Sequence, residues 1–237
     1  MTDFEYVGTE LELFAMVHNW KCYWARRLRP FIVGDVVEVG AGIGANTPFL
    51  NPKMNSRWVC LEPDARLLAQ LNGSLAQSGQ LRYCEIACGT LDSLDARDRF
   101  DTILYIDVLE HIENDRKELE NAASHLRDGG RIIVLAPAHS WLFTPFDASI
   151  GHFRRYNRRM LKEITPSGLH PEKLIYLDSA GLLLSLANRL LLRQSMPSKE
   201  QLRIWDGVII PVSRVLDGCL LNAVGKSVVG VWKKQEE

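Results

Sequence analysis

The sequence predicts an α/β fold in which a mostly parallel β-sheet carries helices on both faces. Strand-like runs, mostly apolar as expected for strands covered on both faces, alternate with segments of helical periodicity between residues 36 and 136. The first run stops at Gly40, Gly42 and Gly44, a spacing typical of a sharp turn into a loop that a ligand can approach. The chain has 237 residues, 46% of them hydrophobic, so we expect one domain over 1–237.

Composition argues against several classes of partner. A net charge of −1 gives no general attraction for polyanions, so nucleic-acid binding is not expected. The five cysteines do not form a disulfide framework, and Cys84 and Cys88 lack metal-ligand partners at useful spacing. We therefore expect reduced thiols, no metal and a cytoplasmic location. No secretory signal is apparent, and the apolar stretch 181–192 is too short to span a bilayer.

The N-terminal region predicts a helical cap over 1–30, with one helix from residue 9 to 28 that Pro30 ends. Apolar residues recur there at steps of three and four, on the face formed by Leu13, Val17, Trp20, Trp24 and Leu28. We favour packing of this face against the sheet, because an aromatic stripe at helical spacing usually packs. The alternative is that Asn19, Trp20 and Tyr23 roof the ligand pocket.

The remaining elements follow from the same periodicities. Further strands are predicted at 57–62, 81–87, 100–107, 131–136, 173–177 and 227–232. Helices are predicted after Pro63-Asp64, around 119–126 with a stop at Gly129-Gly130, at 160–164, at 182–192 and at 201–223 with an interruption at Pro211. Residues 140–156 have no clear period and form a long connection, a type of segment that often carries function.

The glycine loop alone does not identify its ligand. Gly40, Gly42 and Ala45 also fit the dinucleotide-binding fingerprint, and Glu62 stands 22 residues after Gly40. A carboxylate at the end of the second strand can accept hydrogen bonds from the ribose of either a dinucleotide or S-adenosylmethionine (SAM). Spacing leaves both readings open.

Longer segments resemble the class I SAM-dependent methyltransferases over most of the chain. The segments are 36–44, 61–64, 89–91 and 100–112, of which Asp-Val-Leu-Glu-His-Ile at 107–112 is the most specific. The resemblance implies a Rossmann-like seven-stranded sheet whose last strand is antiparallel. It also implies a cofactor site made of Glu38, Gly40, Gly42, Gly44, Asn46, Glu62, Pro63, Gly89, Thr90, Leu91, Asp107 and Val108.

By that resemblance, Glu38 and the backbone at Gly40 and Gly42 face the methionine part of SAM, and Glu62 holds the ribose. Residues 89–91 border the adenine, and Asp107 lies beside the sulfonium. Many relatives have an acidic residue where this chain has Gly89-Thr90, so Thr90 or the backbone must bind the adenine amino group here. The alternative for Glu38 and Asp107 is a capping or buried hydrogen-bonded carboxylate.

Methyl transfer requires alignment of a nucleophile with the S–CH3 bond and, for a hydroxyl acceptor, removal of its proton, with S-adenosylhomocysteine (SAH) as product. The candidate bases are His111, His139 and His152, because their positions in the sequence place them near the end of the fifth strand. A capping or packed role is the alternative for His111.

Residues 147–156 resemble a Gly-His-x-Arg-Arg-Tyr segment found in a subset of these methyltransferases that also have an apolar helical insert before the last strand. Members of that subset are often linked to glycosyl-lipid, polysaccharide or secondary-metabolite pathways. We expect the acceptor to be bound by His139, Arg154, Arg155 and Tyr156. The arginines could bind a phosphate or carboxylate; alternatively they pair with local acids such as Asp147 and Glu163.

The insert at 181–224 has four readings: packing against the sheet, a lid over an apolar acceptor, a homodimer surface, or a peripheral membrane contact. The expected function is SAM-dependent methyl transfer to a small-molecule acceptor. We expect the methylated atom to be an oxygen of a secondary metabolite, sugar or lipid-linked intermediate. The alternatives are an NAD(P)-dependent oxidoreductase, for which no Tyr-x-x-x-Lys is evident, and a catalytically silent SAM-binding scaffold.

Overall fold

The computed structural model describes Tyr6, Gly8 and residues 11–50, 57–187 and 198–236. Its strands are β1 Val36–Val39, β2 Trp58–Glu62, β3 Cys84–Cys88, β4 Phe100–Ile106, β5 Leu126–Pro137, β6 Leu169–Leu177 and β7 Ser227–Lys234. They form one sheet in the order β3-β2-β1-β4-β5-β7-β6. The five strands from β1 to β5 are parallel, and β7 pairs antiparallel with both β5 and β6. The predicted sheet is confirmed.

The position of β1 between β2 and β4 places the site. Val39 pairs with Leu61 on one side and with Tyr105 on the other. The loops that follow these three strands therefore leave the same edge of the sheet side by side. Ligands of open parallel sheets bind at this carboxyl edge.

Helices cover both faces of the sheet. They are α1 Leu11–Ala15, α2 Asn19–Leu28, α3 Thr47–Leu50, α4 Ala65–Gln77, α5 Asp115–Ser124, α6 Pro145–Ser149, α7 Arg158–Glu163, α8 Ser179–Ala187, α9 Lys199–Ile204 and α10 Ile210–Cys219. One core joins α2 and α4 to the sheet, and a second core lies on the opposite face with α5. Trp24 and Leu28 of α2 are almost completely buried, which confirms the predicted packing of its apolar face.

The N-terminal helix is not continuous, contrary to the prediction for 9–28. It divides into α1 and α2, and the second helix begins where the carboxylate of Asp206 accepts hydrogen bonds from the backbone N–H groups of His18, Asn19 and Trp20. These are the donors that a helix start leaves unpaired. A carboxylate from a distant segment thus replaces the preceding helical turn.

Two predicted boundaries are wrong. Residues 81–83 form a 3₁₀ turn, so β3 begins only at Cys84. Helix α5 ends at Ser124, not at the glycine pair, because Leu126 already pairs with Phe100 as the first residue of β5. Gly129 and Gly130 lie within that strand, where the register against β4 shifts.

The C-terminal half contains longer strands and a continuous pair of helices. β6 begins at Leu169 and β7 continues to Lys234, so both exceed the predicted ranges. Pro211 lies in the first turn of α10, and this helix directly follows a π-helical turn, Trp205–Ile209, which links it to α9. Residues 188–192 of the predicted helix lie outside the described residues. In the part of the chain that the structure describes, no helix has both the length and the apolar character needed to cross a membrane.

Candidate active site

The glycine loop after β1 has a backbone that only glycine adopts easily. Gly40, Gly42 and Gly44 have φ values of +65°, +56° and +72°. A Cβ atom on Gly40 would lie 2.7 Å from a methyl group of Val108, and one on Gly44 would lie 2.6 Å from Leu71. A Cβ on Gly42 would meet no atom closer than 3.9 Å. The loop is therefore packed on its outer glycines and open at its centre.

Glu62 connects this loop to the end of β2. Its Oε2 accepts a hydrogen bond of 2.8 Å from the Gly42 N–H, and its Oε1 accepts one of 2.9 Å from the Asp64 N–H. The side chain is buried, and burial raises the pKa of its carboxyl. Each carboxylate oxygen can accept a further hydrogen bond, so Glu62 retains capacity for two ribose hydroxyls.

Glu38 lies beneath the loop. Its Oε2 accepts hydrogen bonds from the Thr47 hydroxyl at 2.9 Å and from the Trp58 indole N–H at 3.1 Å. The side chain is 2% exposed, and burial raises the pKa of its carboxyl to about 7. These contacts tie β1 to α3 and β2. The structure thus gives Glu38 the buried hydrogen-bonded geometry that was the alternative to direct ligand contact.

The predicted adenine region adjoins the same edge. The Gly89 N–H donates to the carbonyl oxygen of Glu62 at 3.1 Å, and Pro63 follows Glu62 directly. The carbonyl of Thr90 accepts from the Ser93 N–H, while Leu91 is fully buried. Asn46, on the other side of the loop, begins α3 by accepting the Phe49 N–H. The structure therefore gathers the predicted cofactor residues along one edge.

Asp107 follows β4 in a strained conformation with φ of +54°, and its N–H donates to the Leu135 carbonyl at 2.8 Å. The residue as a whole is exposed to solvent, but desolvation of its carboxyl raises the pKa to about 6, and the charges of His152 and Lys21 oppose this shift. Val108 follows it and packs against Gly40.

Lys21 is a charged residue at the candidate site that the sequence analysis did not assign to it. Its Nζ donates to the carbonyl oxygens of Ala15 at 3.2 Å and Ala45 at 3.1 Å, beside the glycine loop. Burial lowers the pKa of its ammonium to about 8, against the attraction of Asp107 and Asp206. The sequence already indicated that Lys21 would be buried, because it stands four residues after Val17 on the apolar face of the predicted helix.

The structure brings two of the three candidate bases together. The rings of His111 and His152 meet edge to face with centroids 4.5 Å apart. Burial lowers the pKa of His111 to about 4. His139 is engaged elsewhere, since its Nε2 lies 2.9 Å from the Gly225 carbonyl oxygen and its ring stacks on Trp141 and Tyr176.

Asp147 organises the segment that contains His152. Arg155 pairs with it through two hydrogen bonds, Nε to Oδ1 at 2.8 Å and Nη2 to Oδ2 at 2.9 Å. His152 Nδ1 lies 3.0 Å from Oδ1, and the Thr144 hydroxyl donates to Oδ2. Burial alone would raise the pKa of this carboxyl, but the hydrogen bonds from His152 and Arg155 bring it well below its usual range.

The other residues predicted to bind the acceptor also contact protein groups. Arg154 pairs with Asp115 at 2.6 Å, and the Tyr156 hydroxyl donates to the same carboxylate at 2.8 Å. Arg159, farther along, pairs with Glu163 at 2.7 Å. This is the local pairing that the sequence left open as the alternative, and binding of acceptor by these residues stays a prediction.

Glu110 is the second functional candidate that sequence reasoning missed. It is completely buried, and neither carboxylate oxygen has a hydrogen-bond partner among the described residues. His152 Nε2 lies 3.9 Å from its Oε1. Burial, reinforced by the negative charge of Asp107, raises the pKa of Glu110 well above its ordinary value. In the sequence, Glu110 could have been found as an acidic residue that directly precedes the candidate base His111.

Comparison with known proteins identifies the type of domain. Residues 37–132 match a family model described as a methyltransferase domain. Over these residues the chain matches the class I SAM-dependent methyltransferases. The matched range contains the glycine loop, Glu62, Asp107 and the Glu110-His111 pair, and the cofactor of this class is SAM.

The methyltransferase domain has distant curated relatives. The ubiquinone biosynthesis O-methyltransferase of Bradyrhizobium sp. (strain ORS 278) is 27% identical over 107 residues, which cover 45% of this chain and 41% of that protein. The protein of the same name from Rhodopseudomonas palustris (strain BisB18) is 27% identical over 160 residues, which cover 62% of this chain and 60% of that protein. The chain therefore spans less than two thirds of either relative.

Solved structures support the fold independently. Phospholethanolamine N-methyltransferase 2 from Haemonchus contortus, in complex with phosphomonomethylethanolamine and S-adenosylhomocysteine, is similar to the methyltransferase domain with a TM-score of 0.63 and 14% identity. The match covers 96% of this chain and 58% of that one. At this identity the similarity shows a shared fold.

Proposed function

We propose that the protein transfers a methyl group from SAM to a hydroxyl of a small-molecule acceptor. The observation that carries the proposal is the connection of the open glycine loop to Glu62, within a range that matches a methyltransferase domain. The preference for oxygen rests on the two relatives, which are named as O-methyltransferases.

In this proposal Glu62 accepts hydrogen bonds from the ribose, and the backbone at Gly40 and Gly42 faces the methionine part of SAM. Gly89 to Leu91 border the adenine. The accessible carboxylate of Asp107 lies beside the sulfonium, where a negative charge favours a cationic donor. Because SAM carries an activated methyl group, the protein has to align the acceptor, exclude water and manage one proton.

His152 and His111 are the proposed centre for that proton. Asp147 accepts from Nδ1 of His152, so Nε2 of the neutral ring remains an acceptor on the side facing Glu110. An oriented imidazole whose other nitrogen is held by a carboxylate is a common arrangement for a general base. His139 takes no part, because its ring is already held by Gly225 and two aromatic neighbours.

Exposed apolar side chains in the late helices are the basis for inferring an apolar acceptor. Leu183, Val208 and Val215 are 64%, 56% and 67% exposed, and they belong to the α8 to α10 region just before β7. Such side chains suit a lid over an apolar acceptor, a membrane-surface contact or a dimer interface. Methylation rates with acceptors that differ only in alkyl chain length would test the first reading: we expect activity to rise with chain length.

Thermal unfolding with added nucleotides tests the cofactor. SAM and SAH should raise the melting temperature, and NAD and NADP should not, because only a ligand of the folded state stabilises it. Glu62→Ala should weaken SAH binding while Glu113→Ala, at an exposed glutamate, should not. A preference for NAD would refute the proposal. SAM binding without methyl transfer to any of a broad panel of phenols, sugars and lipid alcohols would favour the silent scaffold.

A further inference from the structure

Three side chains near Asp107 converge on one point without a shared partner. One ligand atom each from Glu110, His111 and His152 lie within 4.8 Å of one another. The two oxygens of Glu110 are buried and have no hydrogen-bond donor among the described residues. An unpartnered buried carboxylate is costly, and a cation would satisfy both of its oxygens.

His152 is oriented for ligation. Asp147 holds Nδ1 of His152, which turns Nε2 toward Glu110 Oε1 at 3.9 Å. The carboxylate is itself fixed by Arg155 and Thr144. Metal-binding histidines nearly always have their second nitrogen held in this way, because the partner fixes the ring orientation and raises the basicity of the ligating nitrogen. The His111 ring lies against the His152 ring, with the two centroids 4.5 Å apart.

We propose that Glu110, His111 and His152 bind a divalent transition-metal ion. Two imidazole nitrogens and one carboxylate favour Zn²⁺, Mn²⁺, Fe²⁺ or Co²⁺ over Mg²⁺ and Ca²⁺, which prefer oxygen ligands. A set of three protein ligands leaves a coordination position for water or substrate. Metal-ligand spacing is not visible along the chain, because His152 stands 41 positions after His111 and only the fold brings the two rings together.

The metal gives the acceptor hydroxyl a binding position, an inference that rests on the proposed function. A hydroxyl bound to the ion loses its proton to solvent more readily, as water does on Zn²⁺. The resulting alkoxide or phenoxide oxygen forms the new O–CH3 bond. The S–CH3 bond breaks, its electron pair stays on sulfur, and the sulfonium becomes the neutral thioether of SAH. With the ion bound, Nε2 of His152 is a metal ligand and no longer the base named in the proposed function, so the hydroxyl proton leaves to water.

Titration with Co²⁺ tests the site without SAM or an acceptor. Full-length protein freed of metal with a chelator should bind one equivalent of Co²⁺, seen as visible absorption bands. Glu110→Gln and His152→Gln should each weaken Co²⁺ binding at least about tenfold, because a ligand is lost. His170→Gln, at an exposed histidine on β6, is the control and should leave the affinity unchanged.

A second measurement on the wild type keeps the test decisive if a variant does not fold. In proton NMR, the Co²⁺ complex should show two strongly shifted exchangeable signals, one from each imidazole N–H. Absence of stoichiometric binding, or unchanged affinity in both variants, overturns the metal site and leaves Glu110 as a protonated acid. The SAH melting shift is measured on the same samples. Co²⁺ binding without that shift refutes the proposed function and not the metal site, and the reverse result refutes only the metal site.

Discussion

The buried carboxylate of Glu38 predicts a stability that falls as pH rises. Burial raises its pKa in the folded protein from 4.5 to about 7. Between these values the folded state binds more protons than the unfolded state, so the free energy of unfolding decreases with pH. The difference between the two pKa values corresponds to about 3 kcal/mol. This cost is absent below pH 4.5 and fully present above about pH 7.

Substitution of Glu38 by Gln removes the titrating group and keeps its shape. The free energy of unfolding of Glu38→Gln minus that of the wild type should therefore increase by about 3 kcal/mol from pH 4.5 to pH 8. Urea unfolding followed by circular dichroism at five pH values measures it. Glu113→Gln, at an exposed glutamate, is the matched control. A constant difference for Glu38→Gln across this range would show that the carboxyl is solvated or paired, and would refute the reasoning.

Two further substitutions have matched controls within the chain. Gly40→Ala should abolish detectable SAH binding and destabilise the fold by about 1–3 kcal/mol, because it combines positive φ with a Cβ contact of 2.7 Å. Gly73→Ala, in the interior of α4 with no atom within 4 Å, should instead stabilise the protein by about 0.5–1 kcal/mol. Arg155→Lys breaks a bidentate pair with buried Asp147 and should lower the free energy of unfolding by about 1–3 kcal/mol, whereas Arg159→Lys at the surface should change it by no more than about 0.5 kcal/mol. Chemical unfolding measures all four variants. Equal effects of the two lysine substitutions would contradict a structural role for the Arg155–Asp147 pair.

The sheet and the glycine loop were predictable because their signals are local. A strand covered on both faces is an apolar run, and a backbone with positive φ requires glycine at that position. Strand order follows less directly, but alternation of strands and helices restricts it to a few parallel arrangements. Glu62 and Asp107 could then be assigned to one edge from their places at strand ends.

Features that depend on contacts between distant segments were not predictable from periodicity. The break before α2 depends on Asp206, nearly 190 positions away, which caps three N–H groups. The extension of β5 through two glycines depends on pairing of Leu126 with Phe100. In both cases a tertiary partner replaces the local signal, since helix and strand preferences are weaker than such contacts.

The acidic residues of the candidate site differ in the hydrogen bonds that their carboxylates already accept from protein groups. We use this difference to propose which of them bind a ligand. Asp147 is paired with Arg155 and His152, and Glu38 accepts from Thr47 and Trp58, so both hold the fold together. Glu62 is intermediate, because each of its oxygens accepts one backbone N–H and can accept another donor. Of these acidic residues, the exposed Asp107 and the buried Glu110 are the two whose carboxylates have no hydrogen-bond donor among the described residues. A cationic sulfonium suits the first, and a metal ion suits the second. The two proposed ligands would then be neighbours, because only two residues separate Asp107 from Glu110 along the chain.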